Sequence, residues 1–249
     1  MDRTKRILRD LLFPPRCNVC GEVMTDTSAG RAMCRVCYEK FRTEVRAGCA
    51  VCGHSYDECF CRPPIFLPDD FAFALPYNKL DGVCRKLILS CKNRKNQAVM
   101  ALFADYAVSA AEKRGILRED LVLTYVPRAP EKRVHTGVDQ AEELAKAVSA
   151  RTGLALHRFL GHGIFSEEQK SHRYTDRAPA AEAAYRRLPG VEAMIAGKTI
   201  LLVDDVVTTG ATVNACTTLL REAGAAAVYC LAAAKNIKSD REFSRYITD

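Results

Sequence analysis

The sequence predicts an α/β fold, a parallel sheet flanked by helices, preceded by a small N-terminal metal-binding module. Three observations predict it. Ile200 to Val203 are four consecutive apolar residues without polar alternation, the pattern of a strand covered on both faces. From Phe71 onward, apolar runs alternate with segments of helical spacing, as in a sheet built from βαβ units. Eight of the twelve cysteines crowd between Cys17 and Cys61 in close pairs, the spacing of metal ligands rather than of a disulfide framework. The expected division is a metal-binding module over residues 1–66 and an α/β domain over residues 67–249.

The opening MDRTKRILRDLLFPPRC is basic, but Arg9 and Asp10 interrupt its apolar stretch and no small-residue cleavage site follows, which argues against a secretory signal. No segment reaches membrane-spanning length, so membrane insertion is not expected. Cys17-x2-Cys20 and Cys34-x2-Cys37 form a tetrad whose thirteen-residue separation allows a short hairpin between two knuckles. Cys49-x2-Cys52 followed by Cys59-x-Cys61 is tighter and less regular. Cys20-Gly21 and Cys52-Gly53 both end a Cys-x-Val-Cys-Gly knuckle, where glycine permits the positive φ of a turn around sulfur. The reading is a double zinc ribbon holding one or two structural Zn²⁺, since closed four-thiolate sites substitute for a core this short segment cannot build. Pairing Cys17 and Cys20 with Cys49 and Cys52 stays open, as does His54 as a substitute ligand. Thiolate-bound zinc belongs to a reducing compartment, so a cytoplasmic location is expected. Two such sites would lower the formal charge of +7 to roughly +3, which makes overall basicity a weak argument for nucleic acid. Cys84, Cys91, Cys216 and Cys230 lie in apolar surroundings without ligand spacing and are assigned to packing.

Prolines near residues 62–70 disfavour helix and mark a linker. FAFALPY then reads as a strand, and Val83 to Ser90 and Ala98 to Lys113 as helices. Arg85, Lys86, Lys92, Arg94 and Lys95, with no acid among them, make a basic patch suited to pyrophosphate or nucleic acid, or simply a solvated face. Leu121 to Val126 is a second strand. The loop Pro127 to Gln140, with Arg128, Lys132, Arg133 and His135, offers cations and backbone NH groups before a helix through Val148. Gln169 to Tyr185 is polar and suggests a mobile loop leading into a short helix. Helix Val213 to Glu222, stopped by Gly224, leads to a last strand, Val228 to Ala232, and the tail from Lys235 is expected to be peripheral.

The run Ile200 to Thr212, ILLVDDVVTTGAT, carries the chemistry. Open α/β sheets bind ligands outside the carboxyl ends of their strands, where Asp204 and Asp205 can accept hydrogen bonds from sugar hydroxyls or hold a hydrated Mg²⁺. Hydroxyls and glycine-exposed NH groups in Thr208, Thr209, Gly210, Ala211 and Thr212, at the positive end of the next helix, suit a phosphate monoester. A nucleotide-hydrolase alternative fails, because Gly197-Lys198-Thr199 has Glu192 where a P-loop needs glycine.

Position for position, this run is similar to the ribose-phosphate signature of type I phosphoribosyltransferases. Over nearly the whole chain the sequence resembles the ComF family of competence-associated phosphoribosyltransferase-like proteins. The likeness rests on LLFPPRCNVC, on Tyr77, Gly82 and Lys92, on Val126-Pro127, Gly137 and Gln140, on Gln169, Arg177 and Tyr185, and on Gly197-Lys198. It implies a type I phosphoribosyltransferase-like sheet that binds phosphoribosyl pyrophosphate with Mg²⁺. Asp204 and Asp205 would face the ribose hydroxyls as the catalytic pair, Thr208 to Thr212 would hold the 5-phosphate, and Lys92, Arg128 and Arg133 would serve the pyrophosphate. Transfer of the phosphoribosyl group to an unknown acceptor is the implied activity, linked to DNA uptake. The alternative is a non-catalytic sugar-phosphate sensor that binds single-stranded DNA or competence proteins. The chain departs from the family at Thr136-Gly137-Val138-Asp139-Gln140, where a cation is lost and Asp139 gained, and at Lys95 and Ala180. An acid beside pyrophosphate costs binding unless Mg²⁺, Lys132 or Arg133 compensates it, so the departure bears on turnover and not on recognition of the ribose phosphate.

Overall fold

The computed structural model describes residues 12–24, 32–49, 52–63, 65–77, 82–92, 95–128, 137–163 and 184–236. In the cysteine-rich module, α1 (Arg35–Arg46) follows Cys34, and a single 3-10 turn spans Tyr56–Glu58. Then come β1 (Asp70–Pro76), α2 (Val83–Ser90), α3 (Gln97–Lys113), β2 (Val122–Tyr125), α4 (Gln140–Thr152), β3 (Leu160–His162) and β4 (Tyr185–Arg187). A one-turn α5 (Glu192–Ile195), β5 (Thr199–Val207), α6 (Ala211–Glu222) and β6 (Ala227–Lys235) complete the described chain.

The main sheet has the order β1-β6-β5-β2 with every pairing parallel, and β3 and β4 form a separate antiparallel pair. Ile200 to Val203 are 0% exposed, as expected of a strand covered on both faces. Strand alternation divides the core in two. Leu201, Val203, Leu231 and Leu123 join Phe103 and Ala107 of α3 and Leu144 and Val148 of α4 on one face. Ile200, Leu202, Cys230 and Phe73 join Val213, Cys216 and Leu220 of α6 on the other. Each fully buried aliphatic or aromatic side chain contributes about 1.5–3 kcal/mol, which overrides the weak helix propensity of the Val- and Thr-containing α6.

Several boundaries differ from the sequence reading. β5 runs on to Val207 and α6 starts two residues early, because ladder pairs Val206 to Ala234 and Val207 to Lys235 continue past the aspartates. Lys235 therefore ends β6 instead of opening a peripheral tail. It is 5% exposed, its Nζ donates to the Cys61 carbonyl at 2.6 Å, and it sits 5.6 Å from the Phe73 ring centroid. Burial pushes its ammonium below the ordinary lysine value, opposed by the thiols of Cys59 and Cys61. Residues 237–249 lie outside the described residues, as do 164–183, where the mobile loop and short helix were expected; Tyr185 itself opens β4.

The cysteine-rich module lies against the edge strand β1 and the helices beside it. Arg114 joins the Asp70 carboxylate at 2.5 Å and the Cys59 carbonyl at 3.3 Å, and its guanidinium carbon is 4.7 Å from the Phe60 ring centroid. Lys113 pairs with Asp57, and the Cys84 backbone NH donates to Glu44 at 3.0 Å. A covered edge strand cannot recruit a foreign one. Among the described residues, no helix is long and apolar enough to cross a membrane.

Candidate functional site

The eight ligand cysteines predicted from sequence converge in two groups, Cys17, Cys20, Cys34 and Cys37, and Cys49, Cys52, Cys59 and Cys61, with sulfurs in each within 4.8 Å of one another. Pairs at 3.8 Å (Cys20 to Cys34), 3.9 Å (Cys49 to Cys61) and 3.6 Å (Cys52 to Cys59) approximate the roughly 3.8 Å edge of a tetrahedron with about 2.3 Å Zn–S bonds. The donor set fits closed structural Zn²⁺ sites, and the interleaved pairing does not occur. His54 is exposed, with Nδ1 3.1 Å from the Cys52 carbonyl oxygen, outside the four-sulfur group. Gly21 and Gly53 take φ of +79° and +75° at the two knuckles. Cys84, Cys91, Cys216 and Cys230 are buried and belong to neither group, as packing requires.

The second site lies at the carboxyl edge of the sheet. β2 and β5 are neighbours, and Val126 NH donates to Val203 O at 2.9 Å, so the loops leaving the two strands share one cleft. A cavity of about 290 Å³ is lined by Lys92, Arg128, Asp139, Gln140, His162, Tyr185, Asp204, Asp205 and Thr212, among others. A hollow of about 40 Å³ adjoins it, lined by Asp204 and Val206 to Val213, including Thr208, Thr209, Gly210, Ala211 and Thr212. All the predicted non-zinc site residues except Arg133 thus meet in two adjoining spaces. Arg133, Lys132 and Thr136 lie outside the described residues. Lys92 reaches the cavity from an exposed position just after α2. Elsewhere the basic patch is partly neutralised: Lys95 pairs with Glu143 at 3.6 Å, and Arg85 lies 6.0 Å from the Tyr77 ring centroid.

The electrostatics are dominated by carboxylates. Asp204 is 7% exposed, and burial followed by the charge of Asp205 pushes its carboxyl well above the ordinary carboxylate range. Its Oδ1 accepts from Asp205 NH at 2.8 Å, and Asp205 Oδ1 accepts from Val206 NH at 2.8 Å, which fixes both side chains at the strand end. Tyr185 is pushed up to about 12 by burial and by nearby Cys216, Asp204 and Asp139, against a hydrogen bond with Thr212. A divalent cation and an ordered hydroxyl-bearing ligand fit such a concentration of negative groups.

Asp139 has a different role from the one its sequence position suggested. It caps α4, accepting from Glu142 NH at 3.3 Å, and its other oxygen accepts from Arg128 NH at 2.8 Å. Backbone NH groups and a helix N-terminus therefore compensate the acid. The Asp139-x-x-Glu142 spacing, a capping-box pattern, is the signal that would have shown this. Arg128 turns Nη1 across its own loop onto Val138 O at 3.1 Å and onto Gln140 Oε1. His162, edge-on to Tyr185 at 5.1 Å, is a cavity residue that sequence reasoning missed. A three-residue strand carries no periodic signal, so only the tertiary fold brings it there.

Gly210 precedes α6 with φ +82°, and no side chain caps the helix through it; Ala211 NH has only a long 3.5 Å contact with Thr209 Oγ1. First-turn NH groups are thus free to meet an anion in the 40 Å³ hollow. A Cβ at Gly210 would also stand 3.3 Å from Ile65 O, Phe66 Cδ2 and Pro63 Cβ. Gly210→Ala should cost about 1–3 kcal/mol of stability through the positive φ, which thermal melting checks.

Residues 139–248 match the family of the phosphoribosyl transferase domain, and residues 8–65 match the double zinc ribbon domain. The chain joins a double zinc ribbon to a phosphoribosyltransferase-like domain. The first of these matches begins at the cap of α4 and includes β5, its aspartates and the Thr/Gly loop. No curated protein matches the chain. Among solved structures, an allosteric regulatory enzyme of purine biosynthesis is 19% identical with TM-score 0.34, covering 54% of this chain and 26% of its own. The glutamine phosphoribosylpyrophosphate amidotransferase from B. subtilis is 20% identical with TM-score 0.33, covering 53% and 25%. A hypoxanthine phosphoribosyltransferase from Staphylococcus aureus is 12% identical with TM-score 0.36, covering 61% and 74%. The chain spans about a quarter of the length of the first two.

Proposed function

We propose that the protein binds phosphoribosyl pyrophosphate with Mg²⁺ at the carboxyl edge of the sheet and transfers the phosphoribosyl group to an acceptor, releasing pyrophosphate. The observation that carries this reading is the adjacency of two differently built anion sites around a carboxylate pair. Thr208 to Thr212 and the uncapped end of α6 would receive the 5-phosphate, and the Lys92 and Arg128 side of the larger cavity the pyrophosphate. Between them Asp204 and Asp205 would accept hydrogen bonds from the ribose hydroxyls and orient a sugar that develops positive charge as its bond to pyrophosphate lengthens. Bound Mg²⁺ would supply charge neutralisation to the leaving group. Tyr185 would close the cavity against water from the Thr212 side.

The deciding experiment is pyrophosphate release from the sugar donor, screened over bases, amines and ammonia, with Asp205→Asn beside the wild type. Signal in the wild type that drops at least about 100-fold in the variant supports the assignment, a size expected when charged hydrogen bonds worth about 1.5–3 kcal/mol each are lost. Equal signals in both proteins reject it.

One observation favours a second reading. Arg128, a cation lining the larger cavity, spends Nη1 within its own loop, and a site that holds the ribose phosphate firmly and the leaving group loosely suits a sensor. On that reading the protein belongs with ComF-type partners of DNA uptake, and single-stranded DNA is a candidate ligand of its basic surface. Filter binding across salt distinguishes it: affinity for single strands that falls steeply with ionic strength, without donor turnover, is its signature.

A further inference from the structure

Asn214 stands in the first turn of α6, yet both ends of its amide are engaged by the stretch that leads out of the second cysteine cluster. Its Nδ2 donates to Ile65 O at 2.9 Å, and its Oδ1 accepts from Leu67 NH at 2.9 Å. An Asn amide matches the alternating acceptor and donor of an extended backbone, so this is the contact a neighbouring strand would make. The same stretch closes on Gly210, where any Cβ would meet three of its atoms at 3.3 Å. At its other end, the Cys61 carbonyl accepts from Lys235, the ladder partner of Val207 at the end of β5. Residues 61–63 and 65–67 are therefore fastened on both sides of the loop 208–210, through Lys235 where the loop leaves β5 and through Asn214 where it enters α6. The stretch that its prolines mark as a linker instead packs against the back of the loop that lines the phosphate hollow.

We propose that residues 61–63 and 65–67 are a positioning element of the phosphate loop and that Asn214 is the positioning residue that seats it. The inference rests on the phosphoribosyl pyrophosphate reading of the site for its ligand, but not for its geometry. Held from behind, the loop keeps its NH groups directed into the hollow before a phosphate arrives, so binding does not have to order it. Only the phosphate end of the ligand touches this loop. Loosening this support should therefore weaken recognition of the sugar phosphate and leave the pyrophosphate side alone.

The test compares Asn214→Ala and Asn214→Asp with the wild type by hydrogen exchange of residues 208–213 in the ligand-free, zinc-loaded protein. Each is then titrated with ribose 5-phosphate and, separately, with inorganic pyrophosphate, in Mg²⁺. The alanine variant should show loop amides exchanging faster and ribose 5-phosphate affinity reduced about tenfold, the scale of one or two neutral hydrogen bonds. Pyrophosphate affinity should stay within about twofold, and the aspartate variant, which keeps the acceptor for Leu67 NH, should fall between. Loop exchange that is equal in the wild type and the alanine variant overturns the proposal, and so does an equal loss of affinity for both ligands. If the wild type binds neither ligand, the proposed function fails while the exchange comparison still decides the positioning role.

Discussion

Asp204→Asn is expected to raise the melting temperature of the ligand-free protein by roughly 2–4 °C, about 1 kcal/mol for a chain of this size, while removing most of the phosphoribosyl pyrophosphate affinity that the proposed function requires. The buried carboxyl is held above its ordinary range by desolvation and by Asp205, so the folded state binds a proton that the unfolded chain releases near its usual pKa of about 3.9. Stability from this group is accordingly highest at low pH and falls as pH rises from about 4 through the raised folded value. Asparagine keeps an acceptor for the Asp205 NH and removes the charge facing Asp205 and Asp139. Under the proposed function ligand binding should run the other way, because the ionised carboxylate would accept ribose hydroxyls or hold a cation, so wild-type affinity should rise over the same pH window. Thermal melting across about pH 4–8, with calorimetric titration of the donor and Mg²⁺, checks both signs. A variant that melts below the wild type at the upper end, or that binds equally well, rejects the assignment. A stability gain paired with a functional loss is what a site built against its own fold should show.

Cys37→Ser is expected to release one zinc equivalent and to lower the melting temperature by roughly 10 °C or more, corresponding to about 3–5 kcal/mol. Cys37 is buried on α1 one turn before Phe41, whose ring is fully buried and meets Tyr106 of α3 edge-on at 5.2 Å. Cys17, Cys37, Phe41 and Val45 also belong to the same apolar cluster as α3, α4 and one face of the sheet. Loss of the metal should therefore propagate into the α/β domain instead of unravelling the ribbon alone. The comparison is Cys91→Ser, a buried cysteine outside both sulfur groups, which should retain full zinc content and lose only about 1–3 kcal/mol for burying a hydroxyl. Metal analysis with thermal melting separates the two, and a zinc-free chain of unchanged stability would refute a structural role.

Local rules were sufficient where one physical cause dominates. Val83 to Ser90 reads as a helix from its apolar spacing and is one, and four unbroken apolar residues mark the central strand. The cysteine knuckles are legible because tetrahedral thiolate coordination dictates short ligand spacings. Boundaries were less legible where ladder pairing decides them. Val206 and Val207 look like the start of a loop until Ala234 and Lys235 pair with them. Charge was least legible. Asp139 reads as a liability beside a phosphate, and its cap hydrogen bonds to α4 depend on where the chain turns. Lys235 reads as the start of a polar tail, yet it crosses to Cys61.

By itself the sequence determined the kinds of parts: cysteine pairs at metal-ligand spacing, a doubly covered parallel strand, and a carboxylate pair followed by a hydroxyl- and glycine-bearing loop. Each is encoded within about a dozen to two dozen neighbouring residues, so local spacing suffices. Only the tertiary structure decided how they meet. Asn214 reaching Ile65, Lys235 reaching Cys61 and His162 reaching the cavity of Asp204 are contacts between distant stretches. Their partners are selected by sheet order and by the burial of opposite strand faces, which no local pattern records.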